Sequence, residues 1–574
     1  MLTRSLILVA LALTLALPFA LRPPSEAASL VEKAEDTLII ISPHNEAIRY
    51  EFGRAFRQWY RERTGRSITV DWRAIGGTSE ITRFIESEYL TAFQNHWTKT
   101  LGRAWSAEVQ AAFANPQFDG NEKLGYDEAF GGEAKSGATT PRLDEESAAA
   151  SDEMKAARAA FLASEVSCGI DLFFGGGAYD STRQAAAGRL VPSRIFQTHP
   201  QWFIDDVVPQ HYAGEPYWDA QGRWIGVVLG GYGILYNKDS LARLGVERPP
   251  RQWADLCDPR FFREVALCDP TKSGSIAKAF ENLIQQQMQA RLVDLRRASE
   301  GAGLSSGELE RRAVREGWEA GLRIIQLMGA NARYFTDSAQ KPPIDVSQGD
   351  SAVGICIDFY GRYQAEATTR RDNTGRLVYV SPRGGSVSSA DPIGLLRGAP
   401  HREAAELFIE FVLSIEGQKL WNFKVGTEGG PSRFALRRIP IRRDFYAEGK
   451  DWRTLRSDPD TRPYAEDGAL VYNAAWTGAL FREMAFAIRL MCLDTHEELV
   501  AAWREIIAAG IPPDALATLQ DMSLLSYERA SGEIREALRS KNRADELRLA
   551  RELGAQLRQQ YAQAAALARA LREQ

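Results

Sequence analysis

Residues 36–89 read DTLIIISPHNEAIRYEFGRAFRQWYRERTGRSITVDWRAIGGTSEITRFIESEY, and their periodicity decides the fold class. Asp36 to Ser42 is an apolar run of strand length. Glu46 to Arg63 follows with Ile48, Phe52, Phe56 and Trp59 on one helical side. Ser67 to Arg73 reads as a second strand, and Gly76-Gly77-Thr78-Ser79-Glu80 leads into a second helix through Tyr89. Strand, helix, strand, helix predicts an α/β chain built on a wound parallel sheet.

The pattern lapses from about Thr91 to Ser164, which is rich in Ala, Ser, Gly and Glu and broken at Gly131-Gly132. This reads as an insertion, partly helical and partly mobile. Gly169 to Gly177 (GIDLFFGGG) resumes the sheet. Trp224 to Asn237 (WIGVVLGGYGILYN) reads as two short strands that touch or cross around Gly230-Gly231-Tyr232-Gly233. Val265 to Asp269 is a further strand, Thr271-Lys272-Ser273-Gly274-Ser275 opens a long helix toward Leu292, and Ser306 to Gly329 is helical.

Ala352 to Ile357 is a strand of small apolar residues, the type buried on both faces. It ends in Asp358, Phe359 and Tyr360. Open α/β sheets bind ligands beyond such carboxyl ends, although a strand end packed by aromatics is the plainer alternative. Leu377 to Ser381 and Ser386 to Leu396 run extended, and His401 to Leu420 is a helix. This second wound unit lies inside the first, so the chain crosses between lobes more than once. From Pro513 to Gln574 the chain is rich in Ala, Leu, Glu and Arg, which predicts two or three amphipathic helices folded against the body, with a partner-binding coiled coil as the alternative.

A chain of 574 residues exceeds one folding unit, and 44% apolar with 25% charged residues is ordinary globular composition. A formal net charge of -5 gives no electrostatic argument for nucleic acid or an anionic membrane. Arg4 precedes an apolar run from Leu6 to Leu21 that Pro23-Pro24 closes, and Ser25-Glu26-Ala27 follows. That is the pattern of a secretory signal over residues 1–27, with an uncleaved anchor as the alternative. Of the five cysteines, Cys257 and Cys268 share a Leu-Cys-Asp-Pro context, and an oxidising compartment allows them to pair if geometry permits.

Two helix starts suit an anion, Gly76–Glu80 and Thr271–Ser275, because backbone N–H groups and the helix dipole point outward there. Ordinary capping by Ser or Thr explains them equally well. Ser42-Pro43-His44-Asn45-Glu46 is a third strand end feeding a helix, where His44 is either a ligand-facing group or part of a cap. The basic run Arg433, Arg437, Arg438, Arg442 and Arg443 reads as a solvated face and interlobe pairing rather than a phosphate site. There is no Gly-x-Ser-x-Gly elbow, His-Glu-x-x-His pair or Walker-type loop, so no catalytic arrangement stands out.

Eight segments in one order carry a resemblance: SPHNEAIR from Ser42, GGTSE from Gly76, DLFFGGG from Asp171 and GGYGILYNKDSL from Gly230; WADLCDP from Trp253, ALCDPTKSGS from Ala266, NARYFTDSAQKPPIDVSQGD from Asn331, and ADPIGLLRGAPHREAAELFIEFVLSIEGQKLW from Ala390. Together they resemble the bacterial extracellular solute-binding proteins of ABC importers, close to the ferric-ion and sugar-phosphate or organophosphonate binders. The resemblance covers Asp36 to Tyr446 apart from the insertion. It implies a two-lobed type 2 periplasmic-binding-protein fold with crossing hinge strands: residues 36–232 and 386–446 in lobe 1 with the insertion at 91–164, residues 233–385 in lobe 2, and a helical extension over 447–574.

It also implies a non-enzymatic, monomeric periplasmic protein that closes on a small ligand and hands it to the transmembrane subunits of an ABC permease. The expected ligand-binding residues are His44, Asn45, Thr78, Ser79, Glu80, Tyr232, Ser273, Gly274, Ser275, Asp358 and Tyr360. In the ferric binders a His, a Glu and two adjacent Tyr hold Fe3+ beside a bound anion. His44, Glu80 and Tyr360 match three of these positions, but Phe359 stands where one phenolate is needed, which favours a phosphorylated or carboxylated ligand over iron. No cofactor is expected. An exported enzyme acting on a phosphate ester, with His44 and Glu80 as acid and base, is the competing class.

Overall fold

The computed structural model describes residues 34–119, 145–298, 305–369, 374–447, 452–465, 470–540 and 542–573. The signal expected over residues 1–27 and the Gly131-Gly132 break lie outside the described residues.

Two sheets organise the α/β body. The first holds seven strands, β1 (Asp36–Ile41), β2 (Ile68–Arg73), β3 (Leu172–Phe174), β4 (Leu190–Val191), β7 (Ile225–Gly230), β13 (Ser389–Leu396) and β14 (Ile439–Pro440), in the order β14-β7-β13-β3-β1-β2 with β4 on β13. β1 pairs in parallel with β2 and β3, while β13 runs antiparallel to β3, β4 and β7. The second sheet orders β8 (Tyr232–Asn237), β9 (Val265–Cys268), β10 (Ala332–Thr336), β11 (Val353–Ile357) and β12 (Leu377–Val380) as β10-β9-β11-β8-β12. A small hairpin, β5 (His211–Tyr212) with β6 (Glu215–Pro216), stands apart.

The two lobes are joined where the chain changes sheets. β7 and β8 are separated by Gly231 alone, and residues 381–388 return from β12 to β13. Trp224–Asn237 is therefore one continuous extended run shared by two sheets, as its two apolar halves around the glycines suggested. Both strands are buried along their whole length. The Gly231 carbonyl accepts from the Asp358 amide at 2.9 Å, and the Tyr232 amide donates to Ser386 Oγ at 2.9 Å, so the two crossings are tied together.

The described parts of the insertion, residues 91–119 and 145–164, include helices that pack on lobe 1. Helix Ala107–Ala112 and the end of helix Thr78–Asn95 pack Tyr89, Phe93, Val109 and Phe113 with Phe161 onto Phe173 and Leu396 of lobe 1. Arg158, 2% exposed, fixes it by bonding Asp119 and the carbonyls of Phe113, Ala186 and Ala187.

From Ala474 the carboxy-terminal extension is helical and packs mostly on lobe 2, while Arg456 and Tyr464 ahead of it bond Asn422 and Ile441 of lobe 1. Trp318 Nε1 donates to the Leu525 carbonyl, Gln326 Nε2 to the Leu519 carbonyl, and Trp503 Nε1 to Asn331 Oδ1. Helix Arg543–Arg572 turns Leu549, Leu553, Leu557 and Tyr561 inward, so its apolar stripe is spent on this chain. Cys257 and Cys268 are both free thiols, with Cys257 Sγ directed at the Ile324 carbonyl and Cys268 Sγ at that of Asp269; the pairing allowed by their spacing is not made. Among the described residues no helix is long and apolar enough to cross a membrane.

Candidate functional site

A cleft of about 610 Å³ opens between the two sheets and is lined from both lobes. Its lobe 1 wall begins where β1 stops. Ser42 Oγ accepts from the His44 amide, and Asn45 Oδ1 accepts from the Ile48 amide to cap helix Glu46–Thr64. His44 is thereby set into the wall, edge-on to Phe174 at 4.6 Å between centroids. The glycine turn after β3 makes room for it. Gly175 has φ +100, and a Cβ there would lie 2.8 Å from the imidazole.

The deepest charged group is Arg438, and its setting is built from distant parts of the chain. Glu51, fully buried in helix Glu46–Thr64, accepts the amides of Ser432, Arg433 and Phe434 and so fixes the approach to β14. Trp421 O and Asn422 Nδ2 then hold the Arg438 backbone at 2.9 and 2.8 Å. Arg438, 1% exposed, ion-pairs with Asp391 of β13 at 2.6 Å, and its guanidinium carbon lies 4.4 Å from the centre of the Phe359 ring of lobe 2. A buried pair that keeps both partners is tolerable, whereas either charge alone is not.

These groups perturb one another. Burial lowers the His44 pKa, and the nearby guanidinium adds to that, against the raising effect of Asp391. Burial raises that of Asp391, but the Arg438 charge and the His44 bond outweigh it and hold the carboxyl below its usual range. His44 Nε2 is 3.4 Å from Arg438 Nη1 and 3.6 Å from Asp391 Oδ2, while His44 Nδ1 and Arg438 Nε are buried without hydrogen-bond partners.

Two helices aim their N-termini at this cleft from opposite lobes. Helix Thr78–Asn95 is preceded by Gly77, which supplies no side-chain cap, so its first amides are left open. Glu80 folds back over this turn: a Cβ on Gly77 would lie 3.1 Å from Glu80 Oε2 and also 3.1 Å from the Lys272 carbonyl. In lobe 2, Ser273 Oγ accepts from the Ile276 amide at 3.3 Å and caps helix Gly274–Ala298. The lobes touch here, Ser79 Oγ donating to the Thr271 carbonyl at 3.4 Å.

Of the residues expected from the sequence, His44, Asn45, Thr78, Glu80, Tyr232, Ser273, Ser275 and Tyr360 line the cleft. Ser79 is at the lobe contact, and Gly274 faces a smaller adjoining compartment across from Asp180. Asp358 is not in the cleft wall. It is 1% exposed, opens helix Asp358–Ala367, and turns its carboxylate back on the Phe359 amide at 2.8 Å. Burial raises its pKa, with Arg362 and Arg438 as partial counterweights. The hydrogen bond from its amide to the Gly231 carbonyl ties it to the crossing between the sheets.

The basic run also differs from its expected role. Arg437 does pair across the lobes with Glu366, at 2.9 Å, but Arg438 and Arg442 are buried rather than solvated. Arg438 and Asp391 line the cleft outside the expected ligand-binding set, as do Arg49, Lys272, Asp337 and Lys341. A carboxylate inside the apolar strand ADPIGLL was the available signal, because a charge in a central strand needs a partner.

Of the donor set implied for iron, His44, Glu80 and Tyr360 line the cleft, and the Phe359 ring stands there in place of a second phenol. His44 faces a guanidinium, and burial pushes the phenols of Tyr360 and Tyr232 up, away from phenolate. The charges lining the cleft are balanced, with Arg49, Lys272, Lys341 and Arg438 against Glu46, Glu80, Asp337 and Asp391. Two acids are already engaged, Asp391 by Arg438 and Asp337 by Lys341 at 2.7 Å.

Residues 169–426 match the bacterial extracellular solute-binding protein family. An uncharacterized protein of Haemophilus influenzae is 25% identical over 251 residues, 44% of this chain and 60% of its own length. The phosphoglycerate transport regulatory protein PgtC of Salmonella typhimurium is 21% identical over 196 residues, 34% of this chain and 40% of that protein. The chain thus spans less than two thirds of the length of these relatives. Among solved structures, the periplasmic binding protein AfuA of Actinobacillus pleuropneumoniae with fructose-6-phosphate aligns at 16% identity and TM-score 0.44, covering 83% of this chain and 99% of that one. Iron-bound HitA of Pseudomonas aeruginosa aligns at 13% identity and TM-score 0.41, covering 79% and 99%.

Proposed function

We propose that this chain, whose residues 169–426 match the bacterial extracellular solute-binding protein family, captures a small phosphorylated or carboxylated anion between its two lobes and delivers it to an ABC permease outside the cytoplasm. It binds as a monomer and returns its ligand unchanged. The observation that carries the reading is the convergence of Arg438 with the open N-terminus of helix Thr78–Asn95 and the start of helix Gly274–Ala298 on one interlobe cavity.

Each of these favours negative charge by a separate route. The uncapped amides offer backbone donors with the positive end of a helix dipole behind them. Arg438 offers a buried guanidinium with Nε still without a partner, in a setting where a charge-assisted bond is strong. Ser273, Ser275 and Thr78 add hydroxyls able to serve phosphate oxygens or sugar hydroxyls. A ligand bound from both sides favours the closed arrangement by its differential affinity for it.

Mass spectrometry and metal analysis of natively purified protein test the reading. We expect a bound organic anion, or, after its removal, saturable binding of phosphate, phosphoglycerate or citrate without turnover. Iron at one per chain with no organic anion retained contradicts it.

A further inference from the structure

We propose that Tyr472, in the extension that lies beyond the solute-binding match, is a positioning residue that straps the two lobes together and sets how far the cleft opens. The inference rests on the two-lobed cleft and not on which ligand it takes.

Tyr472 is 5% exposed and grips lobe 1 through its backbone and lobe 2 through its side chain. Its amide donates to the Ala213 carbonyl at 2.8 Å, at the tip of the lobe 1 hairpin. That tip is shaped for it: Ala213 has φ 48, and a Cβ on Gly214 (φ +80) would lie 1.8 Å from the Tyr472 carbonyl oxygen. The Tyr472 hydroxyl donates to Glu281 Oε1 of helix Gly274–Ala298 at 3.0 Å. Val387, in the return crossing between the sheets, packs in the same small cluster with Leu470 and Tyr472.

Under the ring lies a buried charge cluster split between the lobes. Lys278 Nζ is 3.4 Å from the centre of the Tyr472 ring, 2.8 Å from Glu281 Oε2 in its own helix, and 2.7 Å from Glu215 Oε1 in the lobe 1 hairpin. The strap itself is fixed to lobe 2: Gln285 bonds Asn473 N, Asn473 O and Thr477 Oγ1 at 2.6–2.8 Å. Farther along, the Phe481 ring packs at a tilt on Tyr179 of lobe 1, 4.5 Å between centroids.

Moving the lobes apart therefore pulls Glu215 from Lys278 in a dry setting and parts Tyr472 from Ala213. Lys278 keeps Glu281, but Glu215 is left without its cation, and stranding a buried carboxylate is costly. The strap holds the ligand-free protein near its closed form, which leaves less reorganisation for the ligand to drive.

The test is the distance between spin labels at Arg83→Cys in lobe 1 and Ile344→Cys in lobe 2, measured on ligand-free full-length protein. Wild type should give one dominant short distance. Tyr472→Ala should add a longer population, and Tyr472→Phe, which keeps the ring and loses the bond to Glu281, a smaller one. Glu215→Gln leaves the strap in place and removes the lobe 1 partner of Lys278, so it should add the longer population even if Tyr472→Ala does not fold. Folded Tyr472→Ala and Glu215→Gln proteins with the wild-type distribution overturn the proposal, as does a wild-type protein already wide open.

Discussion

Arg438 makes an ion pair with Asp391 in its own lobe at 2.6 Å and a cation–π contact with Phe359 of the other lobe at 4.4 Å. One buried side chain thus connects the charge balance of lobe 1 to the closure of the cleft.

Arg438→Gln should show both roles. Loss of the guanidinium strands Asp391, so the urea midpoint should fall by an amount equivalent to on the order of 3 kcal/mol. Affinity for inorganic phosphate should fall about tenfold or more, the usual worth of a buried charge-assisted bond. The double variant Arg438→Gln/Asp391→Asn should recover part of the stability and none of the affinity.

Glu80→Gln separates the anion reading from the ferric one. The Glu80 carboxylate lies over the helix turn at which a bound anion would sit, so removing its charge relieves repulsion. Phosphate affinity measured by calorimetry should rise a few-fold. A metal donor at this position would instead weaken binding when changed.

Asp180 gives the stability profile a pH-dependent step. It faces the start of helix Gly274–Ala298 across the lobes, where a Cβ on Gly274 would lie 3.1 Å from its Oδ2. Burial pushes its pKa from 3.8 up to about 6, with Arg183 only partly opposing. The folded value lies above the unfolded one, so the native state binds more protons between them. The stability it contributes is present below about pH 4 and lost as pH rises through about 6. Asp180→Asn should flatten urea-midpoint profiles over that window and stabilise the protein above it by at most about 3 kcal/mol.

Gly176→Ala should damage fold and site together. Gly176 has φ +97, and a Cβ there would lie 2.8 Å from Thr78 Cγ2. Backbone strain at such a position costs on the order of 1–3 kcal/mol. Thermal unfolding should drop accordingly, and phosphate affinity should fall because Thr78 is displaced from the helix start.

Much of this architecture is legible in residues whose pattern is local. The β1-to-helix unit, the paired apolar halves around Gly231 and the glycine turn at Gly175-Gly176 all announce themselves by periodicity or by a need for positive φ. The two helix starts at Gly77 and Ser273 were legible for the same reason. Arg438 was not, because its burial depends on Glu51, Trp421 and Asp391, hundreds of positions apart in some cases, and a basic run looks solvated without them. Asp358 misled in the opposite sense: a carboxylate at a strand end resembles a ligand, yet the chain turns straight into a helix there and the side chain closes on its own backbone. Tyr472 carries no local signal at all, since its two partners lie in different lobes.

The central claim is that the cleft holds an anion by Arg438 and two facing helix starts. Calorimetric titration of wild-type and Arg438→Gln proteins with phosphate, phosphoglycerate, citrate and ferric ion tests it most directly. The account predicts saturable binding of at least one of the three anions by wild type, weakened about tenfold or more in the variant. Ferric ion bound at one per chain with equal affinity by both proteins, and none of the anions bound, would contradict it.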